Sequence, residues 1–420
     1  MTNLEYLFNL EHHGIKLGLD NIRALLRAAG NPHRAFPSVH VAGTNGKGSV
    51  VALLAAIAGA AGYRVARFTS PHLIDIAERF TVGRENISHE ELDAQIGFFR
   101  GVAGKMPNPP TFFEVATAVA FRWFADVKPD LAIVEVGMGG RLDSTNVVKP
   151  LVSAITTIDF DHMRYLGNTL EKIAYEKAGI IKPRTPVVIG EKKPGPREIL
   201  LSRAKQMRSP VRLMGRDFSF ITRGGAFDHE FEFRSGGLAL GPVPLAVTGA
   251  FQGENAAVAV AVAERLCRAL PRIGRNAIEH GLAAAHWPCR MEQVLDDPPV
   301  IIDAAHNPAG AQKVAPGLAN CITVLAMAAD KDARGVIEAL APATKNFIFT
   351  RFNGTRSTPP ETLAAEARNF PHTIEPSLQT ALAVGMKLAH QGAPLLITGS
   401  IFTAGEARRI LIDKYNAPSL

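Results

Sequence analysis

Short apolar runs, each closed by a glycine or a polar turn, alternate with longer Ala/Leu-rich segments through most of this 420-residue chain. VHVAG (39–43) precedes VVALLAAIAGAAG (50–62), and RVARFTS (64–70) follows it. DLAIVEVG (130–137), LVSAITTID (151–159) and PVVIGE (186–191) repeat the strand pattern, with EVATAVAFRWFADV (114–127) as a helix ahead of the first of them. A strand apolar on both faces is stable only in a sheet covered on both sides, which is the parallel β-α-β arrangement. Ser88 and Glu91 match a capping-box pair opening a helix to about Gly104, and Asn168 or Thr169 caps another.

The pattern changes over about 210–248, where DFSFITRGGAFDHEFEFRSGGLALGPVPLAV alternates apolar and polar residues around Gly-Gly turns. This predicts a small antiparallel β segment. Helices follow over about 252–270 and 274–286. AHWPCR (285–290) then marks a boundary, and VIIDAAHN, CITVLAMA, KNFIFTRF and APLLITGS read as the strands of a second β-α alternation. The expected fold is α/β, with two domains. Residues 1–287 are expected to form the larger domain, with a parallel sheet and the antiparallel segment. Residues 288–420 form a smaller Rossmann-like α/β domain.

Composition narrows the function. No apolar run is long enough to span a bilayer, and the N-terminus lacks the basic start of a secretion signal. Three scattered cysteines, without CxxC, suit neither a disulfide framework nor a zinc ribbon and point to a reducing cytoplasm. The net charge of +7 raises nucleic acid as a partner. The densest basic stretch is only EKKPGPR (191–197), however, and two Trp and five Tyr offer few stacking platforms. Anionic small molecules fit better, with no nucleic acid and no membrane.

HVAGTNGKGSV (40–50) joins a strand to a helix through a phosphate-loop-like turn. Val41 replaces the first glycine of the standard pattern, Gly48 follows Lys47, and the hydroxyl comes one place late at Ser49. Gly43, Gly46 and Gly48 leave room for phosphate, the helix N-terminus favours an anion, and Lys47 adds a full charge. In an open α/β sheet, ligands sit at the carboxyl ends of strands. Ser70, Glu135 and His162, which follows Asp161, share that address, and this hydroxyl, acid and imidazole together suit Mg²⁺. GMGGRLDSTN (137–146) has Leu142 where a dinucleotide fingerprint needs glycine; Asp143 and Asn146 there serve either a polar ring or turn chemistry. IIDAAHNP (301–308) releases Asp303, His306 and Asn307 from an apolar strand, Arg290 follows the boundary, and LITGS ends another strand at Ser400.

Read together, VAGTNGKGSV, TSPHL, TFFEVATA, VEVGMGGRLDSTN, DHMRYLG, YEKAGIIK, WPCRMEQV, IDAAHNP, DKD and ITGSIF resemble the folylpolyglutamate synthase/dihydrofolate synthase family of the Mur-ligase superfamily. The resemblance implies ATP-dependent addition of L-glutamate to dihydropteroate and to reduced folates such as tetrahydrofolate, through an acyl phosphate. It implies that Gly43, Thr44, Asn45, Gly46, Lys47, Gly48 and Ser49 cradle ATP, with Gln252, Asn255, Arg290 and Asp303 completing the nucleotide site. Ser70, Glu135, His162 and a carbamylated Lys177 would hold two Mg²⁺. Thr111, Phe113 and Asp143 would form the pterin pocket, and His306 and Ser400 would lie near the incoming glutamate. Lys47, His162, Lys177, Arg290 and His306 are the expected catalytic set. K⁺ as a further cation and a monomeric state also belong to this reading. Phe251 and Ala304 depart from the family's usual His and Gly. A monofunctional folylpolyglutamate synthase, and another amino-acid ligase of the superfamily, are the alternatives. The second is disfavoured because the loop begins at Gly43, with no separate nucleotide-precursor domain ahead of it.

Overall fold

A computed structural model describes residues 1–14, 16–415 and 417. The first sheet contains β1 (Ser38–Ala42), β2 (Val65–Phe68), β3 (Phe80–Val82), β4 (Glu85–Asn86), β5 (Leu131–Glu135), β6 (Val152–Ile155), β7 (Val187–Ile189) and β8 (Val211–Leu213). Their spatial order is β4-β3-β2-β5-β1-β6-β7-β8. β2, β5, β1, β6, β7 and β8 run parallel, and β3 and β4 add an antiparallel edge. Every residue of β1 and β5 is buried, as two covered faces require. One face packs on Lys47–Ala60, which lies in turn against Gln252–Leu266 and Arg275–Ala284. The approach is close: a Cβ on Gly281 would lie 2.4 Å from the Ile57 Cα. The helix Lys47–Ala60 is therefore apolar nearly all round. The other face packs on Phe112–Val127 and the N-terminal helices.

The antiparallel segment is a three-stranded sheet of β9 (Phe218–Gly224), β10 (His229–Ser235) and β11 (Ala239–Pro244). It is shorter than the sequence pattern indicated. Val211–Leu213 alternates in polarity because it is the half-buried outer strand of the parallel sheet, not because it belongs to the antiparallel one. Ser88 caps its helix through the Glu91 amide at 3.1 Å, but Glu91 makes no return bond, so the expected box is half formed.

The third sheet has the order β12-β13-β17-β14-β15-β16, from β12 (Glu292–Asp296), β13 (Pro299–Ile302), β14 (Cys321–Leu325), β15 (Thr344–Phe349), β16 (His372–Ile374) and β17 (Leu395–Thr398). β12 is antiparallel to β13 and the other pairs are parallel. β12 and β16 are largely exposed strands at the two edges, which left little apolar pattern to read. Among the described residues no helix is long and apolar enough to cross a membrane.

Candidate active site

β1 lies at the centre of the parallel sheet, paired with β5 on one side and β6 on the other, and the loop after it starts at their carboxyl ends. The chain leaves β1 at Ala42 and enters its helix at Lys47. Gly46 sits at φ +86°, and a Cβ there would lie 2.2 Å from Asn255 Oδ1. A Cβ on Gly48 would lie 2.7 Å from the Trp287 ring, so a side chain at the standard P-loop hydroxyl position meets an indole. The hydroxyl stands one residue later, at the buried Ser49. Lys47 Nζ donates to the carbonyls of Gly43 and Thr44, both at 3.1 Å. Thr44 is pinned across the sheet edge: its amide donates to Thr157 O at 2.7 Å and its hydroxyl to Asp159 O at 3.1 Å. The first amides of the helix have no intrahelical acceptor and present positive potential to an anion.

Around this loop the neighbouring strand ends deliver their polar groups. Glu135, the last residue of β5, is buried and accepts the Ser70 amide at 3.1 Å on Oε2. Among the described residues its carboxylate makes no other hydrogen bond. Burial pushes this carboxyl up, against the opposing charges of Lys47, Arg290 and Arg79. A buried carboxylate this sparsely paired suits a cation. Lys177, at the end of the helix Leu170–Ala178, is buried and donates to Gly43 O at 2.8 Å. Burial, helped by the Lys47 charge, lowers its amine to about 7. His162 is half-buried at φ +48°, and burial lowers its ring to about 4. Among the described residues no three His, Cys, Asp or Glu side chains converge into a metal cage. The expected set has only two such groups, Glu135 and His162. That still fits Mg²⁺, which keeps waters and takes one or two carboxylates plus substrate phosphates.

The loops of the third sheet bring further groups to Asp161 and the phosphate loop. His306 Nε2 lies 3.3 Å from Asp161 Oδ2, and Lys331 Nζ 2.5 Å from Asp161 Oδ1. Burial pushes the Asp161 carboxyl up, but His306, His162 and Lys331 together hold it well below the usual carboxylate range. Asn45 of the loop and Asn307 exchange amide hydrogen bonds at 3.1 and 3.3 Å. Arg290 extends its charge to Glu135 and Asp303, while its Nη1 donates to Cys289 O at 3.1 Å. Asp303 accepts the Met291 amide at 2.8 Å and the Ala305 amide at 2.7 Å, so it holds the segment just before β12 and the His306 loop together. Gly399 donates to Ala305 O at 3.0 Å, which places buried Ser400 beside that loop; its Oγ accepts the Phe402 amide.

Gln252 opens its helix fully buried, with Oε1 accepting from Asn255 at 2.7 Å and Nε2 left without a partner among the described residues. Both residues thus back the loop at Gly46. Phe251 packs against the core of the C-terminal sheet, where an apolar ring is accommodated in place of histidine. Ala304 is buried, and its carbonyl meets His306 Nδ1 at 3.1 Å.

The three residues expected around a pterin are differently employed. Phe113 lies flat against Phe68 at 5.8 Å and covers Gly137, where a Cβ would lie 2.4 Å from its ring. Thr111 caps the helix Phe112–Val127 in a reciprocal box with Glu114. Asp143 is buried and binds the amides of Met138 and Thr145 and the Thr145 hydroxyl, so its present work is to hold the GMGGRLD loop. Asp161 and Lys331 were not among the expected site residues. Both stood in quoted motifs, DHMRYLG and DKD, but only the fold brings the two together.

The chain matches the Mur ligase middle domain over residues 41–263 and the Mur ligase glutamate ligase domain over residues 289–401. It is 34% identical over 414 residues to the dihydrofolate synthase/folylpolyglutamate synthase of Bacillus subtilis, covering 95% of this chain and 96% of that one. The folylpolyglutamate synthase of Mycobacterium tuberculosis, solved with ADP and AMPPCP, superposes with a TM-score of 0.90 at 33% identity, covering 97% of this chain and 98% of that one. The bifunctional folylpolyglutamate synthase/dihydrofolate synthase of Yersinia pestis, solved with AMPPNP and a Mn ion, gives a TM-score of 0.87 at 29% identity over 98% of each chain. With both ligase domains matched, and a relative this similar along nearly its whole length, the chain belongs to the Mur ligase family, in its dihydrofolate synthase/folylpolyglutamate synthase branch.

Proposed function

We propose that this protein uses ATP to join L-glutamate to dihydropteroate and to reduced folates. The observation that carries the reading is the meeting of the phosphate loop with groups from two parts of the chain: Lys47, Glu135 and Lys177 from the parallel-sheet part, Arg290, His306 and Lys331 from the part built on β12–β17. A carboxylate oxygen of the acceptor attacks the γ-phosphorus and ADP leaves. The glutamate amine, having lost its proton, then attacks the carbonyl carbon. The C–O bond breaks, and phosphate departs carrying that oxygen. Lys47 and Arg290 supply fixed positive charge where the transferring phosphoryl group gains negative charge. An acyl phosphate hydrolyses if wet, and the contacts across the site, Asn45 to Asn307 and Asp161 to His306 and Lys331, favour a closed, dry arrangement.

Ser70, Glu135, His162 and Lys177 would hold Mg²⁺, which would neutralise phosphate charge when bound. The buried Lys177, with its amine lowered to about 7, is suited to carbamylation, because only the neutral amine attacks CO₂. We place the hinge between the domains in the linker Ala285–Met291. Phe113, next to Gly137, would face the pterin ring. Three free cysteines, two of them buried, suit a reducing cytoplasm.

The test is ADP release with each component omitted in turn. Turnover should require both an acceptor acid (dihydropteroate or tetrahydrofolate) and L-glutamate. ADP release indifferent to both would overturn the proposal.

A further inference from the structure

Arg79 is a buried charge that the chemistry above does not employ. It closes the turn Ile76–Arg79, between Ser70 and β3, and is only 7% exposed. Its Nε donates to His72 Nδ1 at 2.9 Å, and its guanidinium lies 5.0 Å from the centroid of the Phe112 ring. Among the described residues its two terminal amines have no hydrogen-bond partner, and no carboxylate lies within 4.0 Å. The carboxylates whose charge reaches it are engaged elsewhere or face solvent. Glu78 accepts the amides of Leu73, Ile74 and Asp75, Glu135 accepts that of Ser70, and Glu11 is exposed. Burial draws the guanidinium down to about 10 even against their field. A largely buried cation without a close counter-ion is stabilised by a ligand that supplies one.

The location indicates which anion. Arg79 touches Phe112, the neighbour of Phe113, and its charge reaches Glu135, where the acceptor acid would be activated. Dihydropteroate carries one carboxylate, and the reaction consumes it. A glutamyl-bearing folate carries a second, which stays anionic throughout. We infer that Arg79 binds this second, unreacting carboxylate and so serves glutamate addition to folates but not to dihydropteroate. The planar guanidinium suits a two-point grip on a carboxylate. The inference rests on the functional reading above and sharpens it: one site would treat its two acceptor classes differently through a single residue.

The experiment compares kcat/KM for tetrahydrofolate and for dihydropteroate in wild type, Arg79→Gln and Arg79→Lys. Loss of a buried charge partner should lower kcat/KM for tetrahydrofolate about a hundredfold in Arg79→Gln, carried mainly by KM. Arg79→Lys, which keeps the charge and loses the fork, should fall between. Dihydropteroate turnover should stay within about threefold of wild type in both, and it doubles as the check of folding. Equal losses with both acids, or no loss with either, would overturn the inference. If Arg79→Gln does not fold, Arg79→Lys decides by the same ratio. A wild-type protein that uses neither acid would instead overturn the functional reading.

Discussion

At the scale of single residues, the site is built from groups whose burial changes their chemistry. Lys177 is an ordinary helical lysine by sequence. In the fold it is 4% exposed, anchored on Gly43 O, and its amine is drawn down to about 7. If it acts as a carbamate, Lys177→Ala should lose turnover by at least about a hundredfold, as removal of an essential charged group in a dry site does. Short carboxylates such as formate or acetate should restore part of it by standing in for the missing oxygens. Full activity without added acid would remove carbamylation from the account. The glycine-rich loop, Lys47, Glu135 and His162 were legible in the sequence because strand ends in an open sheet share one address. The linkage of Asp161 to His306 and Lys331 was not, because the partners lie 145 and 170 residues away. Nor does residue spacing show that Asp143 spends its oxygens on its own loop.

At the scale of elements, the strand–loop–helix unit after β1 depends on what packs behind it. Gly46→Ala would place a methyl group at φ +86° and against Asn255 Oδ1. It should cost more than about 1 kcal/mol of stability, since alanine is strained there, and should weaken nucleotide binding by displacing the Asn255–Gln252 pair. Thermal unfolding and an ADP titration check both effects, and unchanged values in both would show that the pair does not support the loop. The buried strands and the long helices were readable from their apolar runs. β8, β12 and β16 were not, because an outer strand half open to solvent carries neither a continuous apolar run nor a clean alternation.

At the scale of the whole molecule, charge ties the parallel-sheet part to the C-terminal sheet part at Asp161, through His306 and Lys331, and at Glu254, through Lys313. Lys331, with 10% of its side chain exposed, would be left a nearly buried, unpaired cation in Asp161→Asn. Turnover should fall at least tenfold by this route, with circular dichroism unchanged and ADP affinity held within about threefold, because the loop itself is intact. Parallel losses of ADP binding and turnover would show that Asp161 serves the nucleotide rather than closure. Activation of the acid by phosphoryl transfer fixes the fate of one oxygen atom. With dihydropteroate labelled with ¹⁸O in its carboxylate, a single turnover in the presence of ATP and L-glutamate should deliver one labelled oxygen into the inorganic phosphate released. Phosphate free of label, with amide product formed, would contradict activation of the acid by phosphoryl transfer.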